Sequence, residues 1–387
     1  MGYSYLVLGT GMGRAIAHCL ASQPDTTVIV IGDVNMDKAR SIAGQIVDNF
    51  SVGCGSIKFD ANDPNSLKNT RGFDVVISAL PARYNLSLAE ASIRQGMHFC
   101  DLGGVLPVTI GMKGGLDFMA RKSGVSVVPD CGLMPGLGVM IARKLVYETL
   151  QDEPDLNAPR EVEIYVGGLP QKPVGPLHYQ KMFSLEGLGH LCYDEAAVIK
   201  NGSMVFVPPR SDYELLTIEE LKPFSKHFDG MVEAFVTSGA SLAPWSFQEL
   251  GVTSLYEKTV RWPGFVEFVQ GVDPEFFEEK IAPLISIPVD AKNPDFVWMK
   301  VAVKYWKIDD GPVLLEYVLL VTYDQALGLS AMEQTTGFTT ALIAQAIARG
   351  QAVPGVNTPD EALTGDSLNR VIAETGNYFR VTEEATP

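Results

Sequence analysis

The sequence has no closely spaced cysteine pair. Its five cysteines (Cys19, Cys54, Cys100, Cys131 and Cys192) are scattered, with no CxxC among them. That argues against a disulfide framework and a zinc site, and a reducing compartment is expected. Histidine is scarce as well, with five residues and no ligand spacing, so no metal is expected. Basic residues are in deficit, 30 Lys and Arg against 46 Asp and Glu, a net charge of −16. No basic run offsets that charge, which argues against nucleic acid as the main partner. No apolar run reaches membrane-spanning length. The start, MGYSYLVLG, enters a strand at once and does not read as a signal peptide. Leu6 stands where a myristoylation signal needs Ser or Thr. Together these absences lead to the expectation of a soluble, cytoplasmic protein that does not engage a membrane.

One further shortage falls inside a motif. The stretch VLGTGMGRAIAHCLASQP, residues 7–24, is close to a dinucleotide-binding fingerprint, which wants glycines at relative positions 1, 3 and 6. Gly9 and Gly11 fit, but position 6 is Arg14, and the glycine sits one place early at Gly13. The missing glycine serves helix–strand packing rather than ligand contact, so a shortened turn lets Gly13 take that role. Gly9 makes the tight turn, while Gly11 leaves room for a pyrophosphate at the helix N-terminus. The second strand ends in Asp33, about 20 positions on, where a carboxylate accepts hydrogen bonds from a ribose. The alternative for Asp33 is a plain cap on the following helix. Gly9, Thr10, Gly11, Met12, Gly13, Asp33 and Asp60, with Ala79, Leu80 and Pro81 after the fourth strand, form the expected cofactor set. Asp33 would repel a 2′-phosphate, and no arginine directly follows it, so NAD is expected over NADP.

The first third of the chain alternates short apolar runs with helical patterns. Strands are expected at 5–9, 27–33, 56–61, 73–80, 98–104 and 125–130, with helices between them. Asp63 and Pro64 read as the start of one helix and Asn85 as the cap of another. Strands apolar almost throughout, separated by helices, imply a parallel sheet covered on both faces. Beyond about residue 135, the stretches 161–168, 296–306 and 314–323 alternate with period two, the mark of a mixed or antiparallel sheet. The stretch 332–350 returns to a strong helix stopped by Gly350. The expected fold is α/β. It has a Rossmann-type domain at 1–134, an α+β substrate domain at 135–330, and C-terminal helices at 331–387 returning to the first domain.

SALPARYN (78–85), DLGG (101–104), PDCGLMPG (129–136), YVGGLPQKP (165–173), FSLEGL (183–188), EAFVTSG (233–239) and YEKTVRWPG (256–264) occur in an order that resembles the lysine 6-dehydrogenases of the saccharopine dehydrogenase-like superfamily. The resemblance covers nearly the whole chain. It implies NAD-dependent oxidation of the side-chain amine of L-lysine to 2-aminoadipate 6-semialdehyde, which cyclises to piperideine-6-carboxylate. It also implies a Rossmann domain completed by the C-terminal segment, and a homodimer is expected. Two departures stand out: the shortened glycine loop, and Phe265, where family members often carry a histidine.

Oxidative deamination needs a neutral amine, and a lysine amine free in water keeps its proton up to about pH 10.4, so a base or a desolvating pocket is required. Asp101, ending the fifth strand on the side where open sheets place ligands, is one candidate, with a structural cap as its other reading. Glu186 is the second, although Ser-x-Glu is also an ordinary helix start. The substrate's α-carboxylate needs a cation, and arginine offers it a two-pronged fit. Arg261 and Lys258 share one strand, three positions apart and so on opposite faces, and Arg261 is preferred. Thr237, Ser238 and Tyr179 are the other expected substrate contacts. Two alternatives stay open: a saccharopine reductase-like enzyme, and a non-catalytic dinucleotide-binding protein.

Overall fold

In the computed structural model, which describes residues 2–63, 65–67, 70–155, 157–307 and 311–386, the chain forms two compact units. One comprises Met1–Met140 with Glu333–Asn377, the other Ile141–Met332 with Tyr378–Pro387. The described strands in chain order are β1 (Tyr3–Leu8), β2 (Thr26–Asp33), β3 (Gly53–Lys58), β4 (Val75–Ser78), β5 (His98–Asp101), β6 (Ser126–Val128), β7 (Arg160–Pro170), β8 (Ala196–Lys200), β9 (Ser203–Val207), β10 (Glu214–Thr217), β11 (Met231–Val236), β12 (Ser254–Arg261), β13 (Asp295–Lys307), β14 (Gly311–Thr322), β15 (Gly355–Val356) and β16 (Arg380–Thr386).

The first unit holds a parallel sheet in the order β15-β6-β5-β4-β1-β2-β3. Its central strands are sealed on both faces, with Tyr5 to Leu8 and Val75 to Ser78 all inaccessible to solvent. This is why they read as unbroken apolar runs. The helix Met36–Asn49 buries Ala39, Ile42, Ala43 and Ile46, a 3.6-residue stripe. From β1 the chain runs outward to β2 and β3, then returns to place β4 on the other flank of β1. The strand order therefore reverses between β1 and β4, the position where doubly wound sheets bind ligands. A seventh strand, β15, comes from the C-terminal segment and pairs with β6.

Three local expectations differ from the structure. Asn85 does not cap its helix, which runs Asn85–Arg94 with Tyr84 before it; its buried side chain accepts a 2.7 Å bond from the Ser78 hydroxyl. The helix expected from Asp63 falls partly outside the described residues, since Pro64, 68 and 69 are not described, and Asn65 N–H donates to the Asp63 carboxylate in a turn. Residues 378–387 do not return to the first unit: β16 pairs antiparallel with β14 in the second.

The second unit is built on a nine-stranded mixed sheet, β10-β11-β12-β7-β13-β14-β16, with β8 and β9 joined beside β12. Only β7 and β12 run parallel among its described pairs. Period-two alternation divides β12 cleanly. Leu255, Glu257, Thr259 and Arg261 face one way; Ser254, Tyr256 and Lys258 face the other.

Candidate functional site

The first unit supplies a loop shaped for a nucleotide. Gly9 has φ +96°, and a Cβ there would sit 2.6 Å from the Ala79 carbonyl oxygen, so only glycine fits where β1 meets the end of β4. A Cβ at Gly11 would meet nothing within 4 Å, leaving backbone that a phosphate can approach. At Gly13 a Cβ would lie 3.1 Å from Val7 Cγ1, so this glycine does perform the close helix–strand packing. Met12 precedes the helix Gly13–Ala21. Arg14, in the place of the usual glycine, pairs with Glu333 at 2.8 Å.

Asp33 ends β2 and is tied to that loop. Its Oδ2 accepts from Thr10 N–H at 2.9 Å and from the Thr10 hydroxyl at 2.7 Å, while Oδ1 accepts from Asn35 N–H at 2.8 Å. The helix cap is Asn35 instead, whose side chain takes Asp37 and Lys38 N–H. This removes the reading of Asp33 as a plain N-cap. Asp60 follows β3 and accepts from Asn62 N–H at 2.9 Å. Ala79, Leu80 and Pro81 continue from β4, all half-buried, with Ala79 N–H donating to Leu8.

Asp101 ends β5 as expected but is completely buried. Its Oδ1 accepts from Gly103 N–H at 2.7 Å and Asp130 N–H at 3.3 Å, and Oδ2 has no protein partner among the described residues. Burial, aided by the neighbouring Asp130 charge, pushes its pKa to about 7. The DLGG backbone folds over the pair: a Cβ at Gly103 would lie 2.2 Å from Asp130 Oδ1. Asp101 was expected as a base on the ligand side of the sheet or as a structural cap, and the structure shows it sealed, with Oδ2 unmet among the described residues. Asp130, in PDCGLMPG with φ +67°, was missed, although a non-glycine residue at positive φ leaves no mark on composition.

In the second unit Arg261 is buried at 3% exposure. Its guanidinium carbon lies 4.8 Å from the centre of the Tyr179 ring and 5.4 Å from that of Phe265. Nη1 donates to the Val260 carbonyl at 2.8 Å, while Nε and the Tyr179 hydroxyl have no partner among the described residues. Phe265 thus serves as a ring face for Arg261. Along the same sheet face, Glu257 accepts from the Thr237 hydroxyl at 2.5 Å and Gly239 N–H at 3.2 Å. Thr259 lies 3.1 Å from Thr237. Glu257 is wholly buried, and burial outweighs these bonds and Arg261, raising its pKa to about 7. Glu233, cross-strand from Arg261, takes Val266 N–H at 2.6 Å and Gly264 N–H at 3.3 Å. Burial raises it too.

Four expected substrate contacts therefore lie on or beside one stripe: Arg261, Tyr179, Thr237 and Ser238, which opens the turn Ser238–Ala240. Lys258 does not join them. On the opposite face it pairs with Asp212 and Glu214, both at 2.7 Å, and borders a cleft of about 390 Å³ with Tyr165 and Tyr256. Burial lowers its pKa, but these two carboxylates outweigh it and leave a net rise. Glu186 stands in the first turn of the helix Leu185–Tyr193, which Ser184 caps by accepting Gly187 N–H at 3.0 Å. Its charge helps raise the pKa of His190, whose main cause is the 2.8 Å bond to Asp194. Glu257 and Glu233 were missed, though the alternation that isolated Arg261 from Lys258 also puts Glu257 on Arg261's face. Among the described residues no His, Cys, Asp and Glu group is arranged to hold a metal, and no helix is long and apolar enough to cross a membrane.

Comparison with known proteins identifies the family. Residues 5–113 match the family model described as "Saccharopine dehydrogenase NADP binding domain", and residues 132–377 that described as "Saccharopine dehydrogenase C-terminal domain". Saccharopine dehydrogenase (NADP(+), L-glutamate-forming) of Schizosaccharomyces pombe is 23% identical over 310 residues, covering 79% of this chain and 64% of that protein. The mitochondrial alpha-aminoadipic semialdehyde synthase of Rattus norvegicus is 30% identical over 205 residues, 52% of this chain and 21% of the relative. The chain thus spans only part of these curated relatives. Among solved structures, apo saccharopine dehydrogenase (L-Glu forming) from Saccharomyces cerevisiae superposes with a TM-score of 0.75 at 17% identity, covering both chains fully. Homospermidine synthase from Legionella pneumophila, in complex with NAD, gives 0.66 at 10% identity, over all of this chain and 92% of that one. Both likenesses speak to fold. The two family models together take in most of the sequence, and the chain belongs to the saccharopine dehydrogenase family.

Proposed function

We propose that the protein is a pyridine-nucleotide-dependent dehydrogenase acting on a carbon–nitrogen bond of an amino acid, with NAD as cofactor and the side-chain amine of L-lysine as the group oxidised. The observation that carries the amino-acid assignment is Arg261: a buried guanidinium with an unpartnered Nε, flanked by an unpartnered Tyr179 hydroxyl. Glu233 and Glu257 balance the Arg261 charge from a distance, but a buried donor left unmet is costly, and a carboxylate matches the guanidinium fork. The residues of the first unit fit a dinucleotide. Gly9 and Gly11 shape the loop, the N-terminus of the helix Gly13–Ala21 faces the phosphates, and Asp33 is held by Thr10 at the ribose position.

Held by the Gly9–Gly13 loop, a pyridine nucleotide would supply the hydride acceptor for the carbon bearing nitrogen. The chain's own residues do the rest. In the second unit, Arg261 and Tyr179 hold the substrate carboxylate. In the first unit, the base we assign is the Asp101 carboxylate, ionised above its pKa of about 7. Once the turn over it admits the amine, it would take the proton that a protonated amine must lose on Oδ2, which no described residue meets. Phe265 and Tyr179 keep water from the guanidinium. The imine then takes up water and releases ammonia. A second reading, oxidation of a secondary amine as in saccharopine, is favoured by the names of the curated relatives. Initial rates of NAD and NADP reduction near pH 9 with L-lysine, saccharopine, ornithine and cadaverine separate the two. Turnover of saccharopine but not lysine would reject the lysine assignment.

A further inference from the structure

The second unit places three ionisable groups on one buried stripe. Arg261 lies cross-strand from Glu233 and on the same face of β12 as Glu257, with Thr259 between them. All three are nearly or wholly removed from solvent, at 3%, 2% and 1% exposure. Arg261 is within electrostatic reach of both carboxyls and lowers both pKa values. Around the guanidinium stand the rings of Tyr179 and Phe265, with the buried Cys192 thiol within electrostatic reach. Around Glu257 stand Thr237, Thr259 and Gly239 N–H; a Cβ on Gly239 would lie 2.8 Å from its carboxyl carbon. Among the described residues, Arg261 is the cation that acts on both acids, while Arg210 also reaches Cys192 electrostatically.

The reading of Arg261 as the carboxylate anchor adds a third anion to that space. Three buried negative charges against one positive are far costlier than two, so one acid must become neutral. Glu233 is poorly placed to do so, since it accepts backbone N–H groups of Gly264 and Val266 that favour its ionised form. Glu257 accepts one backbone N–H, that of Gly239, against two at Glu233; its other donors are the Thr237 and Thr259 hydroxyls, which can turn to accept from the protonated acid. We propose that Glu257 is the internal counter-ion of Arg261 and yields that role to the substrate carboxylate, taking up one proton from solvent as the substrate binds. Glu257 carboxylate plus a solvent proton becomes the carboxylic acid, and the guanidinium, which makes no hydrogen bond to Glu257, meets the incoming anion with its unmet Nε. No electrons move and no bond to substrate forms. Glu257 is thus a positioning residue. It keeps Arg261 charge-balanced when the pocket is empty and makes binding of an anionic amino acid pH-dependent.

The proposal rests on the carboxylate reading of Arg261, and one titration distinguishes their failures. L-Norleucine carries the α-carboxylate but no side-chain amine to oxidise. Its binding to the full chain without cofactor is followed calorimetrically at pH 8 in buffers of different ionisation enthalpy. Uptake approaching one proton is expected at pH 8 and little at pH 6, with affinity falling about fivefold from pH 7 to pH 8. Binding with no proton uptake overturns the role of Glu257 and leaves the anchor standing. No binding, or binding unaffected by Arg261→Ala, overturns the anchor and the proposal together. Glu257→Gln is expected to bind without uptake, and an unchanged uptake in it rejects the assignment. Should that variant fail to fold, Thr237→Val removes a donor to the ionised form and is expected to move the uptake window to higher pH. A window that stays in place speaks against Glu257. The wild-type buffer series decides the matter without any variant.

Discussion

The Arg261 guanidinium lies 4.8 Å from the centre of the Tyr179 ring, and each residue carries a buried polar atom that no other described residue meets. A ring face tolerates a cation and fixes its plane, but it satisfies no N–H donor. The pair is therefore prepared for a ligand with two oxygens. Lysine and cadaverine share the aminomethyl end and differ by the α-carboxylate. Arg261→Ala is expected to reduce kcat/KM for lysine by at least about 10²-fold, since bonds to charged groups contribute roughly 1.5–3 kcal/mol each. Any weak cadaverine turnover is expected to stay nearly unchanged. Tyr179→Phe, which removes only the hydroxyl, is expected to give a smaller loss in the same direction. Equal losses on both substrates would assign Arg261 to the fold.

Cofactor choice turns on Asp33. Its carboxylate stands at the end of β2 and is already oriented by Thr10. A 2′-phosphate brought there meets a fixed negative charge. The expected result is a higher kcat/KM with NAD than with NADP, narrowed by Asp33→Ala through weaker NAD binding. A wild-type preference for NADP would reject the placement. Thr10→Val is expected to weaken NAD binding with less effect than Asp33→Ala, because one of two loop donors to Asp33 is lost.

Much of this was legible because it depended on local pattern. Apolar runs and intervening helices specify the parallel sheet, and Gly9 and Gly13 have the steric roles their spacing implies. Period two on β12 put Arg261 and Lys258 on opposite faces. What the pattern did not carry is long-range pairing. β15 is two residues long, too short for any periodicity, and β16 is a charged strand that only its partner β14 makes regular. The Asp101–Asp130 contact joins residues 29 positions apart, and burial of Asp101 follows from loops closing over it. A carboxylate at a strand end looks the same in sequence whether it is open or sealed.

The glycine loop offers a test that separates folding from binding. Gly9→Ala places a Cβ 2.6 Å from the Ala79 carbonyl oxygen at φ +96°, so both fold stability and nucleotide binding are expected to fall. Gly11→Ala meets nothing within 4 Å and is not at positive φ, so its melting temperature is expected to match wild type. Its methyl group would occupy the space a pyrophosphate approaches, so NAD affinity is expected to drop severalfold. A Gly11→Ala protein with unchanged affinity would show that the phosphates do not cross this loop.

Asp101 makes a prediction in which stability and activity move in opposite directions. Its folded pKa of about 7 lies above the ordinary carboxyl value of 3.8. Below 3.8 both folded and unfolded chains hold the proton, and the group contributes no pH dependence. Between that value and about 7 the unfolded chain releases its proton while the folded chain keeps it, so folding weakens as pH rises. Above about 7 the penalty is complete, at most roughly 4 kcal/mol from a shift of this size. Asp101→Asn keeps the shape and the Oδ1 acceptor for Gly103 and Asp130, cannot ionise, and offers Asp130 a donor instead of a second charge. The variant is therefore expected to melt near the wild-type temperature at pH 4 and above it at pH 8. Its kcat for lysine is expected to fall by about 10²-fold or more, the range for a lost proton-transfer group. Thermal melts of both proteins from pH 4 to 8, with rates from the same preparations, check both arms. Parallel melting curves would mean that Asp101 is ionised throughout. A variant with wild-type turnover would make it a structural carboxyl beneath the DLGG turn.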